Sequence, residues 1–581
     1  MTEKVTCMRR RIAGLLCGVL LMSGCDDVPT IQPGVGIPAN QKLAAHNAEV
    51  RQEVIRVADN VHVAVGFGLA NSIMIEGTDG VIIVDTTESV AVAENVKAEF
   101  DKITDKPVKA IIYTHNHADH ILGSGVFVGD DNPEIYAYET TPEHIDKILQ
   151  VIRPVIYKRS MRQFGSLLED GDVINAGIGP FLDQGPESIV DMRRPTKTFS
   201  GEMTSLEIAG IKLELHFAPG ETPDQIFIWL PDQKILLSGD NYYHSFPNLY
   251  AIRGTAYRDV MDWVRSLDKM RALHPDILVP SHTRPLSGAD EIYDRLTNYR
   301  DAIQYVHDQT IRQMNNGLTL QEIVETVNLP PHLAEKPYLQ EFYGRVDWSV
   351  RSIFTGYLGW FSGNATDLEA LPLEEEAAAM ADLAGGIDAL REKAHSALDA
   401  GKFQWSLQLA DHLLVLNDED TAAGDIRMKA LAALAEREIS ANGRSYYLTQ
   451  MREQGGLKII EPDPHNIPAA MLAAFPIGQF MQAMRVSLDA EQSADVDMIV
   501  GFAFTDTGED FTIHVRRGVA EVTEEFPENP AASIRTESFV WKEILAKRRN
   551  PAIAFASGDV EINGSMIDML SFLSLFQPPD N

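Results

Sequence analysis

Only three cysteines occur in 581 residues, and all of them (Cys7, Cys17 and Cys25) fall near the N terminus. Beyond Cys25 the chain can form no disulfide, and a metal site there cannot use cysteine. The apolar segment Ile12–Met22 is far shorter than the roughly 20 residues a membrane-spanning helix needs. Basic residues are scarce too: 50 Lys and Arg against 84 Asp and Glu leave a formal net charge of −34. That balance argues against nucleic acid, because nothing would release counterions from a phosphate backbone. It also predicts repulsion from anionic lipid surfaces. An anionic substrate would need cations placed locally inside its site, against the field of the whole molecule.

What is present at the N terminus reads as a targeting signal. Lys4 and Arg9-Arg10-Arg11 precede the apolar segment, which ends in Leu21-Met22-Ser23-Gly24-Cys25. This resembles a bacterial lipobox, with Met22 where leucine is commoner. The expectation is an exported, periplasmic protein, with residues 1–25 removed up to a lipid-modified Cys25 that holds it to a membrane. Residues 26–45, carrying Pro29, Pro33, Gly34, Gly36 and Pro38, read as a linker.

The remaining length suits about three domains. From about Val54, short apolar runs such as Val61–Val65, Ser72–Glu76, Val81–Asp85 and Val108–Tyr113 alternate with turns and a helical stretch at Val90–Phe100. The pattern predicts a layered α/β domain over 46–370. Residues 371–462 are rich in Ala, Leu and Glu with helical periodicity. Gly385-Gly386, Gly401 and Asn417-Asp418 divide them into antiparallel helices. Residues 463–581 combine strands (Asp497–Val500, Phe511–Val515, Val519–Val522) with amphipathic helices near Trp541 and Met566, an α+β pattern.

The chemistry concentrates after the strand Val108–Tyr113, in Thr114-His115-Asn116-His117-Ala118-Asp119-His120. His115 and His117, two apart, can point to one side of a turning loop. Asp119 and His120, a tight turn later, can address a second position. Two metal ions roughly 3.5–4 Å apart would fit that arrangement.

This run resembles the signature of the metallo-β-lactamase fold superfamily, which implies an αββα sandwich and three more ligands from later strand ends. The first falls in Pro219-Gly220-Glu221-Thr222-Pro223-Asp224, where Glu221 stands in place of the usual histidine. That departure resembles the alkylsulfatase branch. Asp240 in Gly239-Asp240-Asn241 matches the bridging carboxylate, although alkylsulfatases usually have glutamate there. His282 in Pro280-Ser281-His282 matches the last ligand. The resemblance implies His115, His117 and Glu221 on one ion, and Asp119, His120 and His282 on the other. Asp240 and an activated water lie between them, with Asp119 and Asp240 serving that water, and Asp85 supports the ligand loop. Zinc suits the donors, as do iron and manganese.

Asn248-Leu249-Tyr250-Ala251-Ile252-Arg253 is similar to the alkylsulfatase segment that holds the sulfate, which gives Asn248 and Arg253 that role here. Tyr357–Asn364 resembles the segment closing the catalytic domain. The helical region resembles the family's dimerisation domain, and the last region a sterol-carrier-protein-like domain. The implied activity is hydrolysis of alkyl sulfates by a homodimer. Another ester, a lactone or a phosphodiester is the alternative substrate, and a non-catalytic lipid-binding lipoprotein is the rival from another class. His244 reads as a loop histidine, while Tyr242 and Tyr243 divide between packing and catalysis. Met161–Phe164 with Gly165 divide between the lining of an apolar substrate channel and core packing, and the tail Met566–Phe576 reads as the core face of a helix. His144, His216 and His274 read as structural.

Overall fold

The computed structural model describes residues 36–150, 152–169 and 171–576. Cys25, the segment around it and residues 26–35 of the expected linker lie outside the described residues. The other half departs from a linker, because Gln41–Ala45 is helical with Leu43 buried and Arg444 donates to the Ile37 and Pro38 carbonyls. Two β-sheets face each other in the N-terminal half. The first runs β1 (Glu53–Ala58), β2 (Val61–Val65), β3 (Ser72–Glu76), β4 (Val81–Val84), β5 (Val108–Ile112), β6 (Glu134–Tyr138) and β7 (Lys197–Phe199), in that spatial order. Its first four strands are antiparallel and the rest parallel. The second holds β8 (Met203–Ile208), β9 (Ile211–Phe217), β10 (Ile226–Leu230), β11 (Ile235–Leu237), β12 (Ile277–Val279) and β13 (Leu286–Ser287), also in sequence order across the sheet. Only β11 and β12 pair in parallel there.

Strand periodicity explains the layering. Ile73, Ile75, Ile82, Val84, Ala110 and Ile112 of the first sheet meet Leu213, Leu215, Ile226, Ile228, Ile235 and Leu237 of the second in a dry inner core. The intervening Met74, Ile83 and Ile111 point outward and are covered by the helix Val90–Phe100. Phe227, Trp229, Leu236 and Leu278 are covered by the helices Val260–Ala272, Ala289–Asn315 and Val346–Leu358. Strands buried on both faces read as continuous apolar runs, the pattern seen at Val81–Val84 and Ile226–Leu230. The result is an αββα sandwich.

Five antiparallel helices follow: Leu373–Ala384, Ile387–Asp399, Phe403–Leu416, Thr421–Arg437 and Ala441–Gln454. They break at the glycines and the Asn-Asp pair marked in the sequence. A further break at residues 438–440 comes from Ser440, which caps the last helix by accepting from the Gly443 N–H. The last region forms a sheet ordered β16 (Val519–Thr523), β15 (Asp510–Arg516), β14 (Asp497–Phe504), β17 (Ala532–Thr536) and β18 (Val560–Gly564). The strands β17 and β18 were not read from sequence. In Ala532–Thr536 the alternation is blurred, because four of its five residues are buried. Helices Ile477–Met484, Ser538–Leu545 and Met566–Ser574 pack on this sheet around Phe502, Trp541 and Phe572.

Candidate metal centre

Each ligand proposed from the sequence sits just after a strand, at one end of the sandwich. His115–His120 follows β5, Glu221 follows β9, Asp240 follows β11 and His282 follows β12. Gly239 turns the chain into Asp240 with φ of +57°, a left-handed conformation that glycine adopts without strain. Asp85, Thr87 and Thr283 adopt positive φ beside the ligand loops without that freedom. Each costs about 1–3 kcal/mol and persists because its surroundings hold it.

All seven candidate ligands converge in three overlapping triads, each with donor atoms within 4.8 Å: His115–His120–Asp240, Asp119–His120–His282 and His117–Glu221–Asp240. The second matches one set implied by the resemblance. The other set divides, because His115 and His117 fall in different triads, each with Asp240; their rings meet edge-on at 68°. Asp240 belongs to two triads, with its Oδ2 lying 3.1 Å from His282 Nε2, 3.5 Å from His120 Nε2 and 3.7 Å from His115 Nε2. Asp119 Oδ2 is 3.4 Å from both His120 Nε2 and His282 Nε2.

The donor set fits metal ions on observations independent of spacing. His115 Nδ1 lies 3.0 Å from Thr114 Oγ1, His120 Nδ1 lies 2.8 Å from Asp85 Oδ2, and His282 Nδ1 lies 2.8 Å from the Leu69 carbonyl. Donation of each Nδ1 proton outward is the arrangement in which Nε2 can face a metal ion. Among the protein groups alone, burial opposes charging of His120 and His282, but the Asp240 and Asp119 carboxylates outweigh it and hold both above the usual imidazole range. His115 Nε2, His120 Nε2 and Asp240 Oδ1 are buried without a hydrogen-bond partner. Buried polar atoms seldom stay unpaired, and coordination is what such atoms supply. Asp85 also accepts from the Thr114 N–H (2.9 Å), Thr114 Oγ1 (2.9 Å) and Ser281 Oγ (2.9 Å), binding the His115–His120 loop and the His282 loop to one carboxylate.

Protonation states are compatible with ligation at several positions. Burial, then neighbouring charge, holds His115 and His117 well below the usual imidazole range, so both are neutral. Burial opposes ionisation of Asp240, but His282, His120 and His115 outweigh it and hold its carboxyl well below the usual range. Burial likewise pushes Glu221 up, against the pull of Arg258.

Asn248 and Arg253 border the cluster. Asn248 is fully buried, and neither end of its side-chain amide has a partner. Arg253 brings Nη2 to 3.3 Å from His117 Nε2, while its Nη1 is buried without a partner. Its backbone N–H donates to Gln163 Oε1 at 2.8 Å, so the helix Arg153–Phe164 fixes the arginine loop. Met161 and Phe164 of that helix are buried in packing.

Other residues separate cleanly. His244 lies with Glu49 (3.7 Å) and His46 rather than with the ligands, and burial first, then His46 and Arg295, lower its pKa to about 3. Tyr242 packs against Tyr299, whereas the Tyr243 hydroxyl reaches Glu221 Oε2 at 3.3 Å. His216 stacks on Phe227 and His274 on Tyr293. The helix Met566–Ser574 buries Met569 and Phe572 and exposes Met566, Ile567 and Leu570. One site residue escaped sequence reasoning: Arg258, 4% exposed, donates Nη1 to Glu221 Oε1 at 2.9 Å. It lies outside any motif, and its position just before the helix-capping Asp259 was the sole local signal.

Known proteins share this architecture. Family models match in series: the metallo-beta-lactamase superfamily over residues 65–282, alkyl sulfatase dimerisation over 319–456 and alkyl sulfatase C-terminal over 465–581. A linear primary-alkylsulfatase from a Pseudomonas species is 39% identical over 87% of this chain and 98% of its own length. The chain belongs to the alkylsulfatase family. An alkyl/aryl-sulfatase of Saccharomyces cerevisiae is 27% identical over 91% of this chain and 83% of its own length. The solved structure of the stereoselective inverting sec-alkylsulfatase Pisa1 from Pseudomonas sp. superposes with a TM-score of 0.87 at 23% identity, covering 94% of this chain and 88% of that one. The dimerisation model starts before residue 371, where the helical region was expected to begin. Residues 319–358 nonetheless pack on the second sheet, through Ile323, Leu333, Val350 and Ile353.

Proposed function

We propose that this protein hydrolyses alkyl sulfate esters to alcohol and sulfate at a centre holding two metal ions, with zinc the best fit to its histidine and carboxylate donors. One observation carries the reading: a cluster of seven convergent metal-ligand side chains lies against a buried amide and guanidinium with unpaired donors. The family relatives named above are alkylsulfatases, which supports the same substrate class.

Metal held there would supply Lewis-acid charge and a water acidified from about 15.7 toward neutral pH. The protein's own groups do the rest. Arg253 presents a rigid planar fork suited to tetrahedral oxyanions, and the Asn248 amide adds a neutral donor. Together they hold the sulfate beside His117, in a site whose charge opposes the acidic surface. Asp119 and Asp240, whose carboxylates lie among the histidines of the cluster, would orient the attacking water and take its proton. Burial of the whole cluster excludes bulk water and strengthens each of these interactions.

The reading extends to assembly and address. From the end of the helix Val346–Leu358 to the start of the helical region, Tyr357, Leu358, Trp360, Leu371 and Leu373 are exposed apolar side chains suited to contact with a second copy of the chain. The lipobox-like sequence ending in Cys25 supports export to the periplasm and a lipid anchor.

Purified protein should release inorganic sulfate from dodecyl sulfate, lose that activity on chelation and regain it with zinc. Arg253→Ala should abolish sulfate release while retaining its metal. Turnover of a lactone or phosphodiester without any sulfate release would overturn the substrate assignment.

A further inference from the structure

Arg258 is the most deeply buried guanidinium beside the metal ligands, and only part of it is used. Its Nη1 donates to Glu221 Oε1 at 2.9 Å and to the Asn248 carbonyl. Its Nε and Nη2 are buried with no partner. These two nitrogens form the side-on edge of the guanidinium, whose parallel N–H bonds match two oxygens of one tetrahedral anion. Arginine stays charged in proteins, so the unmatched edge cannot relieve its burial by losing a proton. A buried charged donor left unpaired is costly unless a ligand completes it.

The surroundings say where that ligand sits. Arg253 Nη2 lies 3.3 Å from His117 Nε2 and Arg258 Nη1 lies 2.9 Å from Glu221 Oε1, and His117 and Glu221 bring ligand atoms within 4.8 Å of each other, so the two guanidinium groups approach the same corner of the cluster. Asn248 connects them. Its backbone N–H donates to the Tyr243 hydroxyl at 2.7 Å, that hydroxyl reaches Glu221 Oε2, and the Asn248 carbonyl accepts from Arg258. Glu221 and Asn248 are thereby tied into a closed ring through Tyr243 and Arg258, with the Asn248 amide left free.

We propose that Arg258 is a second sulfate-holding arginine: Nη1 fixes the metal-ligating carboxylate Glu221, while the Nε/Nη2 edge grips two oxygens of the anion held by Asn248 and Arg253. This rests on the alkyl sulfate reading above. It gives the site two positive charges for a doubly charged product, and it couples anion binding to the position of Glu221. A lysine at this position keeps the charge but offers a single ammonium, which cannot serve Glu221 and present a fork together.

The test uses inorganic sulfate as probe, with titration calorimetry on zinc-loaded protein and zinc content measured in the same samples. Arg258→Lys should weaken sulfate binding at least tenfold at unchanged zinc content. Binding within twofold of the parent overturns the proposal, as does a loss of sulfate binding that merely follows a loss of zinc. No sulfate binding by the parent protein would overturn this proposal and the alkyl sulfate reading together, whereas undiminished binding in the variant removes only the former. Should the variant fail to fold, the zinc-loaded parent crystallised with sulfate decides. The anion within hydrogen-bond distance of Arg258 Nε and Nη2 supports the proposal, and the anion seated on Arg253 and Asn248 alone overturns it.

Discussion

Glu88, three residues past Asp85, is buried beside the metal ligands and takes no part in the cluster. Its Oε1 accepts N–H bonds from Leu69 (3.0 Å) and Asp183 (3.1 Å), while Oε2 has no partner. Gly68 makes room for it, since a Cβ there would come within 2.6–2.7 Å of both carboxyl oxygens. Burial, helped by the nearby Asp119 charge, pushes its pKa from 4.5 up to about 8 against the pull of the two backbone donors. A carboxyl with a raised folded pKa leaves stability intact below the unfolded value and subtracts from it as pH rises through the folded one. The cost therefore grows from about pH 4.5 to pH 8. At about 1.36 kcal/mol per unit it reaches about 5 kcal/mol, an order-of-magnitude figure. Glu88→Gln keeps the shape and the acceptor but cannot ionise. Hydrogen exchange of the peptide over residues 81–96, compared between parent and variant in chelator at each pH, isolates this group from the ligands and from the other domains. Between pH 5.5 and 7.5 the variant-to-parent protection ratio should rise about a hundredfold. A constant ratio would refute the reasoning, because Glu88 would then titrate alike in folded and unfolded chains.

Two further outcomes follow from the geometry. Asp85→Asn replaces a carboxylate that accepts from Thr114, His120 and Ser281. It should lower metal affinity about 10–100-fold in competition with a chelator while leaving the fold intact. Leu358→Ser combined with Trp360→Ser removes two apolar side chains that are 57% and 74% exposed. Light scattering should then report monomers where the parent gives dimers, with catalytic activity retained.

The cluster of candidate metal ligands was legible for a local reason. Histidines and carboxylates in one short loop, or directly after a buried apolar run such as Ile235–Leu237 or Ile277–Val279, announce themselves through residue type and strand ends. Helix boundaries at Gly385-Gly386 and Gly401 were legible likewise, since left-handed backbone there requires glycine. The strand at Ala532 was harder because burial of four of its five residues hides the alternation, and the strand at Val560 because its mostly exposed residues leave no apolar run.

The chain's order of residues determined its layers, its donor types and the absence of any cysteine ligand beyond Cys25, because these depend on periodicity and composition alone. Only the folded arrangement decided that Tyr243 faces Glu221 while Tyr242 packs away, that His244 stands apart and that Arg258 enters the site. Such pairings join atoms distant along the chain, and they are set by strand register and strained loops, which leave no mark in local sequence.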